Sequence, residues 1–205
     1  VYGEIIAARW GYEALAVDQF INNRFEKKFY QYDKVISIAK FKKDIWYNEM
    51  KSILSRLESN IDWERLDDSD RQDMTLIYNE IEEELGFTPA ITFNLSLINT
   101  GEITRESIEA ARDYIDRVRR FYIEVSKNAV EARDQSIMAY ERADREGFIT
   151  MKKQYTNESL EEFVRNDNEK NKIKRYRNRL YQNYDQIFFD PVNPLVKAHF
   201  YAPRK

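Results

Sequence analysis

Two long heptad runs constrain this chain more than any other feature. In the first, Phe25, Phe29, Tyr32, Ile36, Ala39, Lys43, Trp46, Met50, Ile53 and Leu57 follow alternating steps of four and three. Only Lys43 interrupts the apolar seam, and its methylene stem can bury while its ammonium reaches water. The second run is Ile108, Ala111, Ile115, Val118, Tyr122, Val125, Ala129, Ala132, Ser136, Ala139 and Ala143. Steps of three and four sustained this long mark helices with a coiled-coil seam. The scarcity of Gly (5) and Pro (4) in 205 residues agrees, because it leaves few turns and long elements.

The second half of the later run is lined by Ala and Ser. Small residues let a partner backbone approach, and large aromatics from that partner would fill the space. The reading is therefore an antiparallel pairing that sets Phe25 to Tyr32 against Ala132 to Ala143, with the seams around Trp46 and Val125 facing each other. Between them, Asp67 to Leu85 reads as a helix with Met74, Ile77, Ile81 and Leu85 inward, Ser69 and Gln72 as a capping box, and Gly86 and Pro89 as its stop. Residues 87–103 read as a connector. Thr104, with Glu106 and Ser107, starts the long helix, and Gly147 closes it. A short helix is expected from Asn157 to Val164 with Leu160, Phe163 and Val164 inward, and a break in the polar stretch 166–172. A final helix would carry Ile173, Tyr176, Leu180 and Tyr184, and Pro191, Pro194 and Pro203 make the last residues extended.

The expected fold is thus all-α: an elongated antiparallel helical bundle or coiled-coil hairpin. Residues 1–205 read as one soluble domain, with 25–184 the bundle and 1–24 and 185–205 its base. The chain starts at Val1 and reads as a piece of a longer protein.

Little in the sequence suggests catalysis. Cysteine is absent, which removes thiolate metal sites and cysteine nucleophiles. The five glycines are isolated, so no phosphate loop is present. His199 is the only histidine and has no nearby carboxylate or nucleophile motif, so its expected role is structural. Glu80 with Glu84, and Asp113 with Asp116, recur at helical spacing but lack the Glu-x-x-His pairs of a dimetal bundle. They read as a solvated acidic face. No catalytic, metal or cofactor residue is assigned, and no cofactor is expected.

Charge is balanced overall at −3 but uneven along the chain. Asp62 to Glu84 is acidic and Arg165 to Arg179 is basic. The basic stretch is interleaved with Tyr176 and Tyr181, a pattern that can stack on nucleic acid. The expectation is instead that the two segments face each other or water, with no nucleic-acid partner. The most apolar stretch, Ile5 to Ile21, is interrupted by Arg9, Glu13 and Asp18, and falls short of the roughly 20 apolar residues of a membrane span.

The two ends carry a resemblance. Ala8-Arg9-Trp10-Gly11-Tyr12-Glu13-Ala14-Leu15-Ala16-Val17-Asp18-Gln19-Phe20 resembles the S-R-W-a-[FY]-E-A-L-a-v-x-x-F segment of G-subfamily (white/pigment-type) ABC exporters, with Ala8 and Gly11 as departures. Asn193-Pro194-Leu195 and Ala198-His199-Phe200-Tyr201-Ala202-Pro203-Arg204-Lys205 are similar to a bacterial (Bacteroidetes-like) form of the same fused ATPase–permease. The resemblance implies an extracytoplasmic, periplasmic-side insertion between the last two transmembrane helices. Arg9, Trp10, Glu13 and Phe20 would pack structurally at its membrane-proximal base. ATP binding would belong to the parent transporter, and the partners would be its membrane helices or an envelope protein. Trp10, Tyr12, Phe200 and Tyr201 suit either a headgroup region or ordinary packing of the ends. The other readings are a free-standing helical adaptor or coiled-coil oligomerisation module, and a helical enzyme. The last would need titratable groups clustered in a pocket, and the sequence offers no such cluster.

Overall fold

The computed structural model describes residues 15, 16, 18–63, 65–98, 102–166, 168–185 and 188. Most of them are helical. A 3-10 turn at Glu26–Lys28 leads into α1 (Tyr30–Lys40), a π-helical segment (Phe41–Trp46) and α2 (Tyr47–Asp62). Then come α3 (Asp68–Phe87), α4 (Arg105–Ala143), α5 (Arg145–Tyr155) and α6 (Glu158–Arg165). An antiparallel pair of strands follows, β1 (Ile173–Tyr176) and β2 (Arg179–Gln182).

The strands correct the all-α expectation, since they occupy the segment read as a final helix. Tyr176 pairs with Arg179, so the loop is two residues, Arg177 and Asn178. Both have positive φ, 50° and 53°. That is the type I′ geometry whose twist matches flanking strands. Asn tolerates the left-handed region better than most residues, so Asn178 is the local cue. The spacing of Ile173, Tyr176 and Leu180 mimicked a helix by coincidence. In β2, burial alternates instead, with Leu180 and Gln182 buried.

The chain packs as two compact units. One draws on the described residues up to Ile38, Lys127–Lys170 and those from Tyr184 onward; the other is Ala39–Ser126 with Asn171–Asn183. The boundary falls inside α1 and inside α4.

In the second unit, the core is made by three helices. Trp46, Met50, Leu54 and Leu57 meet Met74, Leu76, Ile77 and Ile81 of α3, and Ile108, Ala111, Tyr114, Ile115 and Val118 of α4, all fully buried. Each of the Leu, Ile, Met and Val side chains among them contributes roughly 1.5–3 kcal/mol by leaving water. Partners descend on α2 as they ascend on α4: Arg105 pairs with Asp62, Arg112 lies 2.7 Å from Glu58, and Tyr47 donates to Asp116 at 2.8 Å. The early positions of the second heptad run, Ile108 through Tyr122, are buried as their spacing requires.

The first unit holds two smaller cores. Phe25, Phe29 and Phe148 cluster with Tyr32, Ile137, Met151 and Tyr155, while Phe20 and Phe188 cluster with Ile21, Tyr30, Leu160 and Val164. The aromatics of the first heptad run do meet residues of 132–143, through Arg133, Ile137 and Tyr140. Phe29 and Tyr140 stand 6.1 Å apart edge to face, and Arg133 pairs with Asp33 at 2.8 Å. The small residues that were expected to receive them are less buried: Ala139 and Ala143 are exposed, and Val125 is only half-buried.

Three boundaries differ from the expected ones. Helix α3 is capped by Asp67, whose carboxylate accepts from the N–H groups of Ser69 (2.8 Å) and Asp70 (3.1 Å), while Asp70 accepts from Asp67 N–H. Asp67 and Asp70, not Ser69 and Gln72, form the box. Its C-terminus runs past Gly86 to Phe87. The long helix stops at Ala143 because Asp144 caps a new helix, α5, accepting from Gly147 N–H at 2.9 Å. Gly147 therefore opens α5 instead of closing α4; any side chain there would collide with the Asp144 carboxylate. Thr104 and Ser107 cap α4 reciprocally, and Asn157 caps α6.

Asp67→Ala should lower stability by about 1 kcal/mol, the usual worth of a cap. Urea denaturation checks this, and an unchanged midpoint would refute the capping role.

Candidate functional site

Uneven charge is resolved inside the second unit. Asp73 is buried between Arg56 and Arg175, and Arg179 pairs with Glu83 while donating to Asn79 O. The acidic helix thus faces the basic hairpin, one of the two arrangements expected for these segments. The basic side chains of β1 and β2 that meet α3 are neutralised within the chain.

Glu80 and Glu84 are not on a solvated face. They are buried, at 3 % and 0 % exposure, and built into a polar network. Lys42 Nζ lies 2.6 Å from Glu84 Oε2, and Tyr122 donates to Glu84 Oε1 at 2.6 Å. Trp46 Nε1–H donates to Glu80 Oε2 at 2.6 Å, and Leu180 N–H donates to Oε1 at 2.8 Å. Lys42 and Lys43 are both half-buried, and it is Lys42, in the π-helical segment, whose ammonium reaches the buried Glu84. A π turn holds more residues than an α turn, which re-aims the side chains across it. Burial pushes the Glu80 carboxyl up, against Lys42, Leu180 N–H and the indole. For Lys42, burial acts downward, but Glu84 and Glu80 outweigh it and its ammonium is held above the ordinary value. Asp113 is exposed; Asp116 accepts the Tyr47 hydroxyl.

The first unit is different. A cavity of about 1050 Å³ opens there, at the upper end of the range for small-molecule sites. Phe20, Phe25, Phe29, Ile137 and Phe148 form its apolar side. Glu26, from the 3-10 turn, Asp33 of α1, Arg133 of α4, and Glu161 and Arg165 of α6 form the charged side. Asp33 is held by Arg133. Arg165 donates to Glu161 at 3.0 Å and to Asp185 at 2.8 Å, and Ser37 donates to the other Asp185 oxygen at 2.6 Å. Asp185 sits at φ 51°, a left-handed conformation fixed by these bonds and by its own N–H to Arg165 O, 2.6 Å.

Glu26 is the exception, because its carboxylate has no hydrogen-bond or ion-pair partner among the described residues. Burial, then the charges of Glu161 and Asp33, push it up to about 7, despite Arg133 and Arg165. Burial likewise raises Asp33, against the pull of Arg133. A carboxyl raised in the fold keeps a proton that the unfolded chain releases, so stability falls as pH rises from 4.5 toward 7. Glu26→Gln should match the parent at pH 4.5 and exceed it at pH 8. Allowing for the solvent that screens this half-buried group, the gain is about 1 kcal/mol, or roughly 2–4 °C in Tm. Thermal melts at the two pH values check it; a gain that does not change with pH would refute it.

Of the residues singled out in the sequence, Phe20 of the exporter-like segment and Phe25 and Phe29 of the first heptad run line this cavity. Arg9, Trp10 and Glu13 lie outside the described residues, as do Tyr12, His199, Phe200, Tyr201 and the three late prolines. The titratable cluster was not visible in the sequence. Its members come from four segments, and only the Glu161–Arg165 spacing of one helical turn hinted at any part of it. Among the described residues no group of three or more His, Cys, Asp or Glu is arranged to hold a metal ion, and no helix is long and apolar enough to cross a membrane.

No family model matches the chain, and comparison with curated proteins and with solved structures finds no similar protein.

Proposed function

We propose that this chain is a non-catalytic, extracytoplasmic domain of a white/pigment-type ABC exporter, inserted between two membrane helices on the periplasmic side of the inner membrane. Its body would be an antiparallel helical hairpin, and its contacts the parent's membrane helices, with transported substrate or an envelope protein as further partners. The sequence resemblance at the two ends motivates the reading. The observation that carries it is the Phe20–Phe188 cluster. Phe20 closes the exporter-like N-terminal segment and Phe188 lies just ahead of the exporter-like tail, so the chain returns to its point of departure. An insertion between neighbouring membrane helices needs that return. The reciprocal order of the Asp33–Arg133 and Phe29–Tyr140 contacts supports the hairpin in one unit, and the Tyr47, Glu58 and Asp62 pairs support it in the other.

Because the chain lacks cysteine, a single Met138→Cys substitution at an exposed position provides a clean reporter. In spheroplasts bearing the parent transporter, a membrane-impermeant maleimide should label it without lysis. Labelling only after lysis would defeat the proposal, as would ATP binding by the isolated chain in calorimetry.

A free-standing adaptor or oligomerisation module is the second reading. It is favoured by Val130 and Met138, apolar side chains exposed on α4 at 41 % and 51 %. Sedimentation separates the two: a tight dimer favours the module, a monomer the transporter domain.

A further inference from the structure

We infer that the cavity of the first unit binds an amphipathic organic cation, its apolar body on Phe25, Phe29 and Phe148 and its ammonium against Glu26. The inference stands independently of the exporter reading.

The charge balance of the cavity selects the sign. Its two interior cations are already engaged, Arg133 with Asp33 and Arg165 with Glu161 and Asp185. An incoming anion would have to break these pairs. Glu26 has no such partner and sits near two further carboxylates, Glu161 and Asp33. Burial first, then the charges of Glu161 and Asp33, disfavour its own charge, and a cation placed beside it would relieve both.

The aromatic side selects the shape. A ring face attracts a cation within about 6 Å of its centroid, most strongly where water is excluded. The rings of this unit already receive cations of the protein itself, among them Lys28, whose Nζ lies 4.3 Å from the Tyr140 centroid, and Arg133, 5.9 Å from that of Phe29. Phe25, Phe29 and Phe148 stand at mutual centroid distances of 5.2–6.4 Å and line the apolar side of the cavity. At about 1050 Å³ the space exceeds what a bare ammonium or metal ion needs, so the ligand has a body as well as a charge. The remaining charged groups, Glu141 of α4, Lys152 and Lys153 of α5 and Glu158 of α6, are exposed at the rim. There solvent screens them.

The test titrates the whole chain with octyltrimethylammonium, octyl sulfate and octyl glucoside by calorimetry at pH 6 and pH 8. The ammonium should bind at least tenfold more tightly than the other two at pH 8. Because only ionised Glu26 is competent, its affinity should improve about tenfold from pH 6 to pH 8. Glu26→Gln should abolish that pH dependence while circular dichroism stays unchanged. Ile149→Trp, which fills the cavity without touching Glu26, should abolish binding and guards against a Glu26 variant that fails to fold. Equal binding of all three probes, preference for the sulfate, no binding, or a pH dependence that survives in Glu26→Gln would each overturn the inference.

Discussion

Replacing Lys42 with Met is expected to destabilise the protein by about 3–5 kcal/mol, the cost of leaving one member of a buried ion pair without its partner. Glu84 is fully buried and its Oε2 meets Lys42 Nζ at 2.6 Å. The Tyr122 hydroxyl would remain on Oε1, but one neutral donor does not compensate a buried carboxylate. The double substitution Lys42→Met with Glu84→Gln should recover most of the loss, because the amide oxygen still accepts from Tyr122 and no net charge is buried. Urea denaturation of the parent, the single and the double variants measures both effects. If Lys42→Met alone costs less than about 1 kcal/mol, the pair behaves as a surface salt bridge and the network has been misread. The pH dependence has a definite sign. Lys42 is raised above 10.5 in the fold, so its contribution is complete below pH 10.5 and is lost as pH climbs through the higher folded value. The parent should therefore lose stability in strong alkali, and Lys42→Met should lack that component.

Trp46→Ala is expected to be equally damaging. Truncating a fully buried tryptophan costs about 3–5 kcal/mol through lost transfer energy and the void left behind. The indole N–H also supplies one of two hydrogen bonds to Glu80, the other coming from Leu180 N–H in β2. Trp46→Phe separates the two contributions. It keeps most of the ring and removes only the donor, so it should cost about 1–3 kcal/mol. Burial already raises Glu80, and the indole is one of the groups holding it down. Without that donor the carboxyl should rise further, and Trp46→Phe should lose stability more steeply as pH increases above 4.5. Chemical denaturation at pH 5 and pH 8 reads this directly. No loss for Trp46→Phe at either pH value would show that the hydrogen bond contributes nothing.

Both predictions concern residues that the heptad pattern described only in part. Trp46 was visible as a seam position, because a large apolar side chain at a/d spacing has few other places to go. Its polar partner was not visible, since Glu80 lies on another helix and its spacing from Glu84 equally suits a solvated stripe. Lys43 was the legible interruption, but Lys42, in the π-helical segment, is the one that pairs with Glu84. A single inserted residue in the turn is invisible to a periodicity argument that assumes a constant pitch. The last strands were missed for a related reason. Ile173, Tyr176 and Leu180 satisfy helical spacing, while the turn at Arg177 and Asn178 is specified by backbone conformation and by docking on α3. The acidic and basic stretches were legible as opposite in sign, and their pairing through Asp73 and Glu83 follows from that.

What the sequence determined by itself was local: predominantly helical structure, the buried early half of the second run from Ile108 to Tyr122, and helix starts at Thr104 and Asn157. These follow from periodicity and capping chemistry, which act within a few residues. Tertiary structure decided which charges are buried, where the chain turns into strands, and that Glu26, Asp33, Arg133, Glu161 and Arg165 line one cavity beside four phenylalanines. Those outcomes depend on desolvation and on contacts between segments far apart in the chain, from 34 positions for Trp46 and Glu80 to 102 for Asp73 and Arg175, and no local window contains them.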